Sequence, residues 1–520
     1  TLDGNAVKVH RLIQALLRDE LTPEQQAGYR REAHLILAAA APEDPDDAST
    51  WPQFQDLLPH VNAGGAGLQE SQEPAVRELA RGVMRFLYQS GDYASALSLT
   101  ERFIEEWQKD GGPDDPDVLR AQRHLGNIQR FLGRYQESYT VTEDALRRAR
   151  TILGEDEPAT LSLRTSFAAD LRAQGRFTQA WRLDEESRPL HESAYGPDDS
   201  RTLRLLSSLA LDRGLISDYA AAAELYERTH QRMSRPRSAS TALDMLGAWI
   251  GVAWSQRMLG DFDSALDVSL DALDYGQSRA GLGPEHLATL RAVNAYLIAA
   301  RRIADRQREA LDLGRATLEM ATRRYGDSHP DTLAITICLS NMLRSVDESY
   351  HAEALALAQF AVERFPVAYG QEHPYVYGCL GNLALMKRVT GDPAGARELS
   401  ERAVAGLTAG LGEAHQFTLA AAMNLAGDFA ELGERERARR IGEESLPRLT
   451  ALLGPDHWHT LSCANNLALD LRATGEEEAG KQLREETLRR FRDNFGDDFP
   501  EVVVVDAGGR LDPDFDPPAI

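Results

Sequence analysis

Few residue sets in this sequence could carry chemistry, and the most suggestive one is a near match to a phosphate-binding loop. The segment from Gly475 to Gln482 follows the spacing GxxxxGK but lacks the serine or threonine that would bind Mg²⁺. Three glutamates stand where phosphates would lie, and the preceding segment has a helical pattern. We therefore predict a turn between two helices here. The absence of HExxH, GxSxG and a clustered Cys/His set predicts that the chain is not an enzyme.

Five histidines recur at equivalent places along the chain and could suggest a metal site. They are His286, His329, His373, His415 and His457. If each lies on its own helix pair, neighbours are about 10 Å apart or more, whereas a metal ion holds its ligands at about 2 Å. We therefore predict neither a metal site nor a cofactor, and assign these histidines to capping or bracing the loop before a helix.

A series of asparagines fits peptide recognition better than catalysis. Asn382, Asn424 and Asn466 each stand twelve residues after a recurring glycine, and Asn127 and Asn341 lie one helical turn later in their own segments. The surrounding helix pattern is apolar, so a buried amide there is costly without partners. An amide supplies both the donor and the acceptor that an extended peptide backbone needs.

Charged residues extend this series along the same helix face. Aspartates stand four residues after the asparagine position, and arginines follow two residues later, where a guanidinium could pair with a partner's carboxylate. An alternative stays open, in which the aspartates and arginines of adjacent segments brace each other. The candidate groove residues are Asn127, Asn341, Asn382, Asn424, Asn466, Asp428, Asp470, Arg344, Arg388 and Arg472.

These residues must be positioned by a repeated architecture. A linker, Gly-x-x-His/Asp/Glu-Pro-x-Thr-Leu in varied form, recurs about every 42 residues from Gly112 to Gly496. One double-length gap holds a degenerate copy near Pro236 to Leu243. Each period reads as two amphipathic helices separated by a glycine turn. No single pair can bury its apolar face alone, so about ten pairs between Pro74 and Phe495 are predicted to stack.

The pattern NNLALDLRATG with its linker GPDHWHTL resembles the tetratricopeptide repeats of kinesin light chains and their bacterial relatives. The resemblance covers about four fifths of the chain. It implies an all-α, right-handed superhelical solenoid of about ten helix hairpins. The first helix of each hairpin would line a concave groove, with the asparagine position contacting the backbone of a bound peptide.

The two ends differ from the repeats, and three domains are predicted. Residues 1–70 form a helical N-terminal segment, 71–495 the solenoid, and 496–520 a short strand over Val502 to Val505 with an acidic, proline-rich tail. VHRLIQALLRD followed by HLILAAA and LLPHV resembles the junction between winged helix and sensor in bacterial NB-ARC (STAND) ATPases. The resemblance places His10 where that family contacts nucleotide, although its neighbours depart from the motif. A plain helical cap is the alternative.

Composition limits the possible partners. Lys+Arg 57 against Asp+Glu 81 gives a net charge of −24, which disfavours nucleic acid and anionic membranes. No apolar run reaches the roughly 18 residues of a membrane helix, and three cysteines without CxxC favour a reducing, cytoplasmic location. The chain begins at Thr1 without a secretory signal, which indicates a piece of a larger protein.

We predict a peptide- or protein-binding module, the ligand-sensing and regulatory part of a bacterial STAND-type signalling ATPase. Its partners would be a peptide or protein segment in the groove and an upstream nucleotide-binding domain of the same protein. The alternative is a structural or oligomerising scaffold without ATPase coupling, whose groove is filled by another copy or by the chain's own C-terminal tail.

Overall fold

The structure, a computed structural model, describes residues 2–3, 6–7, 19–235, 238–279, 281–303 and 305–520. The predicted fold class is confirmed, because the described chain is an all-α solenoid of ten helix pairs. His10, Pro236 and most of the helix predicted from Leu12 to Leu21 lie outside the described residues. We call the ten pairs repeats 1 to 10, and their first and second helices A and B.

The helix pairs follow one another along the chain from Pro74 to Phe495. In order, repeats 1 to 10 are Pro74–Gln89 with Tyr93–Gly111, Pro116–Phe131 with Tyr135–Ile152, Pro158–Ala173 with Phe177–Tyr195, Ser200–Leu215 with Tyr219–Met233, Ala242–Leu259 with Phe262–Asp274, Leu287–Ala300 with Gln307–Tyr325, Pro330–Val346 with His351–Tyr369, Pro374–Val389 with Pro393–Leu411, Gln416–Glu431 with Arg435–Leu453, and Trp458–Ala473 with Glu477–Phe495.

Repeat 9 illustrates why the sequence folds into these hairpins. Helix A ends before Gly433, whose φ of 79° lies in the left-handed region that glycine adopts without a steric penalty. Ala438 and Gly442 then bring helix B close to its neighbours, and both are buried. A Cβ on Gly442 would lie only 3.1 Å from Leu467 in the next repeat. Small side chains at these positions therefore allow successive hairpins to stack.

The solenoid completes one turn in five repeats, so repeats 6 to 10 lie against repeats 1 to 5. The predicted loop histidines make this contact. In four of them Nε2 meets a backbone carbonyl at the end of helix A five repeats earlier, at 2.6 to 3.2 Å. These pairs are His286 with Gln89, His329 with Phe131, His415 with Leu215, and His457 with Met258.

The same histidines also cap their own helices, as predicted from the sequence. Nδ1 of His415 accepts a hydrogen bond from the backbone N–H of Phe417 at 3.1 Å. One imidazole therefore accepts at Nδ1 and donates at Nε2, which is the arrangement of the neutral ring. Burial lowers the pKa of His415 to about 4, although its bond to the Leu215 carbonyl opposes the shift.

Glycine turns of the first superhelical turn are packed against the linkers of the second. A Cβ on Gly133 would lie 2.6 Å from Pro330, and a Cβ on Gly175 would lie 2.4 Å from Pro374. At the equivalent place in repeat 4, Ser217 adopts a left-handed φ of 72°. Its Oγ accepts a hydrogen bond from the backbone N–H of Gln416 at 3.2 Å. This bond offsets part of the conformational cost of a non-glycine residue there.

The N-terminal end carries helices Pro23–Ala39 and Trp51–Gln69 before repeat 1. Phe54 of the second helix stacks on Phe86 of repeat 1, with ring centroids 5.3 Å apart. Two short strands, Leu2–Asp3 and Ala6–Val7, pair antiparallel where only helical structure was predicted. Short 3₁₀ helices span Ala48–Thr50 and Glu348–Tyr350, and a π-helical turn spans Tyr275–Arg279.

The strand predicted over Val502 to Val505 is wrong, because residues Pro500–Asp506 form a helix. Pro500 occupies the first turn, where its missing N–H costs nothing. Val502 and Val505 are three residues apart, lie on one helix face and are buried in a cluster with Phe491. Packing against the last repeat therefore overrides the β propensity of the valine run.

Candidate functional site

The concave groove formed by the A helices is occupied by the last residues of the chain. We call residues 509–520 the tail. It runs through the groove in extended form, against the order of the repeats, with Leu511 at repeat 10 and Phe515 at repeat 8. Although the tail is acidic, all of its residues from Leu511 to Ile520 are buried or half-buried.

Two asparagines of the predicted series each bind both backbone groups, the N–H and the carbonyl, of one tail residue. Asn382 donates from Nδ2 to the Phe515 carbonyl at 2.7 Å and accepts from the Phe515 N–H at 2.9 Å. Asn466 makes the same pair of bonds with Leu511, at 2.7 and 2.9 Å. Each amide therefore uses its donor and its acceptor on a single tail residue.

Asn424 lies between these two in the series and forms one hydrogen bond with the tail backbone instead of two. Its Nδ2 donates to the Pro513 carbonyl at 2.9 Å. Pro513 has no backbone N–H to offer in return. Oδ1 of Asn424 is consequently buried without a hydrogen-bond partner among the described residues.

Two further amides hold the ends of this extended segment. Asn341 donates to the Phe515 carbonyl at 3.2 Å and to the Asp516 carboxylate at 3.0 Å. Asn465 donates to the Gly509 carbonyl at 3.0 Å. Every second tail residue from 509 to 515 is therefore bonded through its carbonyl to an asparagine of an A helix.

Asp516 is the most deeply buried charge of the tail, with a side chain 1% exposed. Arg301 donates to both of its carboxylate oxygens, at 2.9 and 3.0 Å, and Arg257 approaches at 3.4 Å. Burial alone would raise the pKa of Asp516, but the two guanidinium groups and Asn341 outweigh it and hold that pKa at about 2.

The other two acidic residues of the segment also face arginines. Arg344 donates to Asp514 at 2.6 Å, and Arg301 lies 3.4 Å from the same carboxylate. Arg388 forms an ion pair with Asp512 at 2.6 Å. Carboxylates at alternate tail positions are therefore matched by arginines of successive repeats.

The first superhelical turn uses the same arginine position differently. Arg130 of repeat 2 donates to Asp170 of repeat 3 at 2.7 Å, and Arg172 of repeat 3 donates to Asp212 of repeat 4 at 2.9 Å. These arginines are thus paired within the wall, as the alternative interpretation of the sequence proposed. Asn127 belongs to the same network, because its Oδ1 accepts from Arg130.

Three of the four arginines that face the tail have no such aspartate in the following repeat, whereas Arg388 pairs with both Asp428 of repeat 9 and Asp512 of the tail. The position that Asp170 and Asp212 occupy is apolar in repeats 6, 7 and 8. It holds Ala299, Met342 and Met386, all of them buried. Arg257, Arg301 and Arg344 of the preceding repeats pair with tail carboxylates instead.

Repeat 10 presents the opposite case, an aspartate without an arginine before it. The arginine position of repeat 9 is Ala430, so Asp470 has no wall partner of the kind that Arg388 provides for Asp428 at 2.7 Å. The tail supplies that cation, because Arg510 forms an ion pair with Asp470. Burial raises the pKa of Asp470, and Arg510 opposes that shift.

Phe515 anchors the tail by its ring. The ring packs against Tyr375 and Phe417, with centroid distances of 5.5 and 5.2 Å. A Cβ on Gly378 would lie 2.5 Å from the Phe515 ring, so the absence of a side chain there creates the space for it. Further along, the Tyr375 hydroxyl donates to the Pro518 carbonyl at 3.0 Å.

Most of the residues predicted for the groove lie at the tail, and two do not. Asn127 is bonded within the wall of the first turn. Arg472 is 42% exposed and pairs with Glu477 of its own repeat at 2.9 Å. Asp428 contacts the tail only through Arg388, and burial raises the pKa of Asp428 to about 6 despite that partner.

Sequence reasoning missed several groove residues. Arg301 stands eighteen residues after Gly283, in the same register as Arg344 and Arg388, so the repeat alignment could have found it. Arg257 stands in the degenerate repeat, where no linker glycine fixes the register. Tyr375, Phe417, Gly378 and Asn465 carried no signal of their own, because their roles depend on the tail.

The other chemically suggestive residues have structural roles. Gly475 lies in the turn between the helices of repeat 10, as predicted, and Gly480 is buried inside helix B. Cys338, Cys379 and Cys463 are free and buried, and burial raises the thiol pKa values of all three. Among the described residues, no cluster of His, Cys, Asp or Glu could hold a metal ion. No helix in the described ranges is long and apolar enough to span a bilayer.

The chain matches two sequence models of the tetratricopeptide repeat. One covers residues 85–151 and 159–235, and the other covers 378–416, 418–459 and 460–501. No curated protein sequence matches.

Similar solved structures include nearly identical TPR-like repeats assigned to a kinesin light chain of Podosopora anserina, at 22% identity and a TM-score of 0.34. That match covers 41% of this chain and 99% of the other. BtubC (BKLC) from P. vanneervenii is 16% identical with a TM-score of 0.33, covering 46% and 89% of the two chains. A Rap protein complexed with competence and sporulation factor is 13% identical with a TM-score of 0.45, covering 67% and 98%.

Proposed function

Because the chain contains tetratricopeptide repeats, we propose that its groove binds an extended peptide segment of a partner protein through the asparagines that hold the tail. The supporting observation is the paired bonding of Asn382 to Phe515 and of Asn466 to Leu511. These bonds use only the peptide backbone, so they are available to any extended segment that enters in this direction. The protein acts by binding and carries out no covalent chemistry.

The tail occupies the site that we assign to the partner, so the two compete. A partner binds only to the fraction of molecules whose groove is open, and its apparent affinity falls in proportion to that fraction. Tail occupancy also keeps buried arginines paired while no partner is present, which avoids the large cost of an isolated buried charge. The tail therefore fills the groove when no partner is bound, and it competes with a partner for the same site.

We further propose that this module is the sensing and regulatory part of a cytoplasmic, bacterial STAND-type ATPase. Support comes from the junction-like pattern of residues 1–70 and from the buried, free thiols, which suit a reducing compartment. Partner binding in the groove would then change the activity of an upstream nucleotide-binding domain. A phosphate-binding loop in the sequence that precedes Thr1 in the intact protein would support this role, and an unrelated sequence there would reject it.

A scaffold without ATPase coupling is the second candidate, and the filled groove favours it. In that case the tail is a permanent part of the core, or it is exchanged between two copies of the chain. Light scattering of the wild type and of a chain ending at Gly508 tests whether the tail is exchanged between copies. A wild-type oligomer that becomes monomeric without the tail would favour the scaffold.

Peptide binding is tested with a labelled peptide of residues 509–520. The receptor is the full chain carrying Phe515→Ala and Asp516→Asn, which weaken its own tail and leave every groove residue unchanged. Adding Asn382→Ala, Asn424→Ala and Asn466→Ala should weaken binding about a hundredfold, at about 1 kcal/mol for each amide.

Asn127→Ala in the same receptor is the matched control, because Asn127 bonds within the wall and not to the tail. It should leave the peptide affinity unchanged. Equal affinity for the receptor with and without the triple substitution, measured by fluorescence polarisation, would reject the asparagines as the binding site.

A further inference from the structure

The tail leaves one hydrogen-bond acceptor of the groove without a donor, and this acceptor indicates what a tighter ligand must contain. At Asn382 and Asn466 the amide forms two bonds with one tail residue, whereas at Asn424 it forms only one. Asn424 is only 4% exposed, and its Oδ1 has no partner among the described residues. A buried acceptor without a donor is costly, so this position favours a ligand that supplies an N–H.

The groove positions on either side of Asn424 bind carboxylates. Arg301 donates to both oxygens of Asp516, and Arg257 and Asn341 complete the surroundings of that carboxylate. Without it, Arg257 would lose its carboxylate partner and Arg301 would keep only Asp514, at 3.4 Å. A replacement ligand that lacks an acid at this position would therefore pay a large electrostatic cost.

Asp514 and Asp512 contribute in decreasing order. Arg344 and Arg301 both reach Asp514, whose side chain is 12% exposed, whereas Asp512 meets Arg388 alone and is 19% exposed. Solvent screens the more exposed pair more effectively. The groove therefore distinguishes ligands by acids at alternate positions, most strongly at the one that corresponds to Asp516.

We propose that the partner is an acidic extended peptide with carboxylates at the positions of Asp512, Asp514 and Asp516 and a non-proline residue at the position of Pro513. Such a peptide forms the hydrogen bond to Asn424 that the tail cannot form, and displaces the tail for that reason. This inference rests on the proposed function and specifies the ligand of the same groove.

The N–H is tested by a pair of peptides of residues 509–520 that differ in one atom group. In one peptide alanine replaces Pro513, and in the other N-methylalanine does, so only the first carries the N–H. The receptor is again the full chain with Phe515→Ala and Asp516→Asn. The alanine peptide should bind to it about fivefold more tightly than the N-methyl peptide does. Equal affinities would overturn the proposal for this position.

The carboxylates are tested in the same assay with peptides carrying Asp516→Asn, Asp514→Asn or Asp512→Asn. Binding should weaken at least tenfold for the first, and by a smaller factor for each of the others in that order. If the unsubstituted peptide binds and all three substituted peptides bind equally well, the proposed ligand class is wrong and the peptide-binding function stands. If no peptide binds, the proposed function itself is wrong.

A second measurement uses the wild-type chain, so that the result does not depend on the substituted receptor. The alanine peptide, added in excess, should increase hydrogen exchange at the amides of Leu511 and Phe515 of the chain's own tail more than the N-methyl peptide does. An equal increase with both peptides, or none with either, would contradict displacement through Asn424.

Discussion

Repeats 2 and 3 and repeats 5 to 7 carry arginine at the same position of helix A but use it for different contacts. In the first group, Arg130 and Arg172 pair with aspartates of the next repeat. In the second group, that aspartate is replaced by alanine or methionine, and Arg257, Arg301 and Arg344 pair with the tail. Where the neighbouring repeat lacks the aspartate, the arginine is left to pair with the tail. Arg388 is intermediate, because it pairs with Asp428 of repeat 9 and with Asp512 of the tail.

This difference predicts separate effects for two equally buried arginines. Arg301→Met and Arg172→Met should each lower the free energy of unfolding by about 3 kcal/mol, because each leaves a buried carboxylate without its main cation. Only Arg301→Met should also release the tail. Urea denaturation gives the stability, and hydrogen exchange of residues 510–516 gives the state of the tail. Tail release by both variants would remove the distinction between the two regions.

Filling the space beneath Phe515 should release the tail without removing any charge. Gly378→Ala places a methyl group against the Phe515 ring, and the loss of ring packing should cost about 2 kcal/mol of tail binding. Gly381→Ala in the same helix is the control, since nothing lies within 4 Å of its Cβ position. That control should be as stable as the wild type or more so. Equal hydrogen exchange of the tail in both variants would contradict the proposed packing of Phe515 against Gly378.

As the pH falls, the histidine contacts between the two superhelical turns should weaken at a higher pH than the contacts of Asp516 in the tail. His415 has a pKa near 4 when folded and near 6.5 when unfolded, so its contribution to stability is lost as pH falls from about 6.5 to 4. At pH 5.5 this amounts to about 1 kcal/mol. The tail carboxylate Asp516, with a pKa of about 2, stays ionised throughout that window.

His415→Gln is the variant that isolates this effect. The difference in unfolding free energy between pH 7.5 and pH 5.5 should be about 1 kcal/mol smaller in the variant than in the wild type. The protection of the tail against hydrogen exchange should be the same in both proteins at pH 5.5. An unchanged pH dependence would show that His415 does not titrate as its surroundings require.

The smallest effect concerns the turn of repeat 4. Ser217→Gly should change stability by less than about 0.5 kcal/mol, because relief of the left-handed conformation offsets the lost bond from Gln416. Ser217→Ala keeps the unfavourable conformation and loses the bond, so it should be about 1 kcal/mol less stable than the wild type. Thermal unfolding of the three proteins measures both differences, and equal stability of the two variants would contradict this explanation.

Sequence reasoning succeeded where a signal was local and repeated. The linker period predicted ten helix pairs, and the asparagine series pointed to the residues that contact the tail backbone. The histidines were correctly assigned to helix caps. Their contacts with carbonyls about 200 residues earlier could not be predicted, because no local pattern specifies how many repeats complete a superhelical turn.

The misses share a physical cause, which is dependence on tertiary contacts. The valines of residues 502–505 have strand propensity, yet the apolar surface of the last repeat selects the helix that buries Val502 and Val505. The tail has no helical or strand periodicity, so its place was indicated only as an alternative. Its charges become informative once Ala430 and Asp470 are compared with the complete Arg388–Asp428 pair.

Hydrogen exchange of the wild-type tail tests the central claim most directly. The amides of Leu511 and Phe515 donate to Asn466 and Asn382, so both should exchange far more slowly than those of a free peptide with the same sequence. Excess acidic peptide with alanine at the position of Pro513 should abolish that protection. Tail amides that exchange at the free-peptide rate in the unliganded protein would contradict the account.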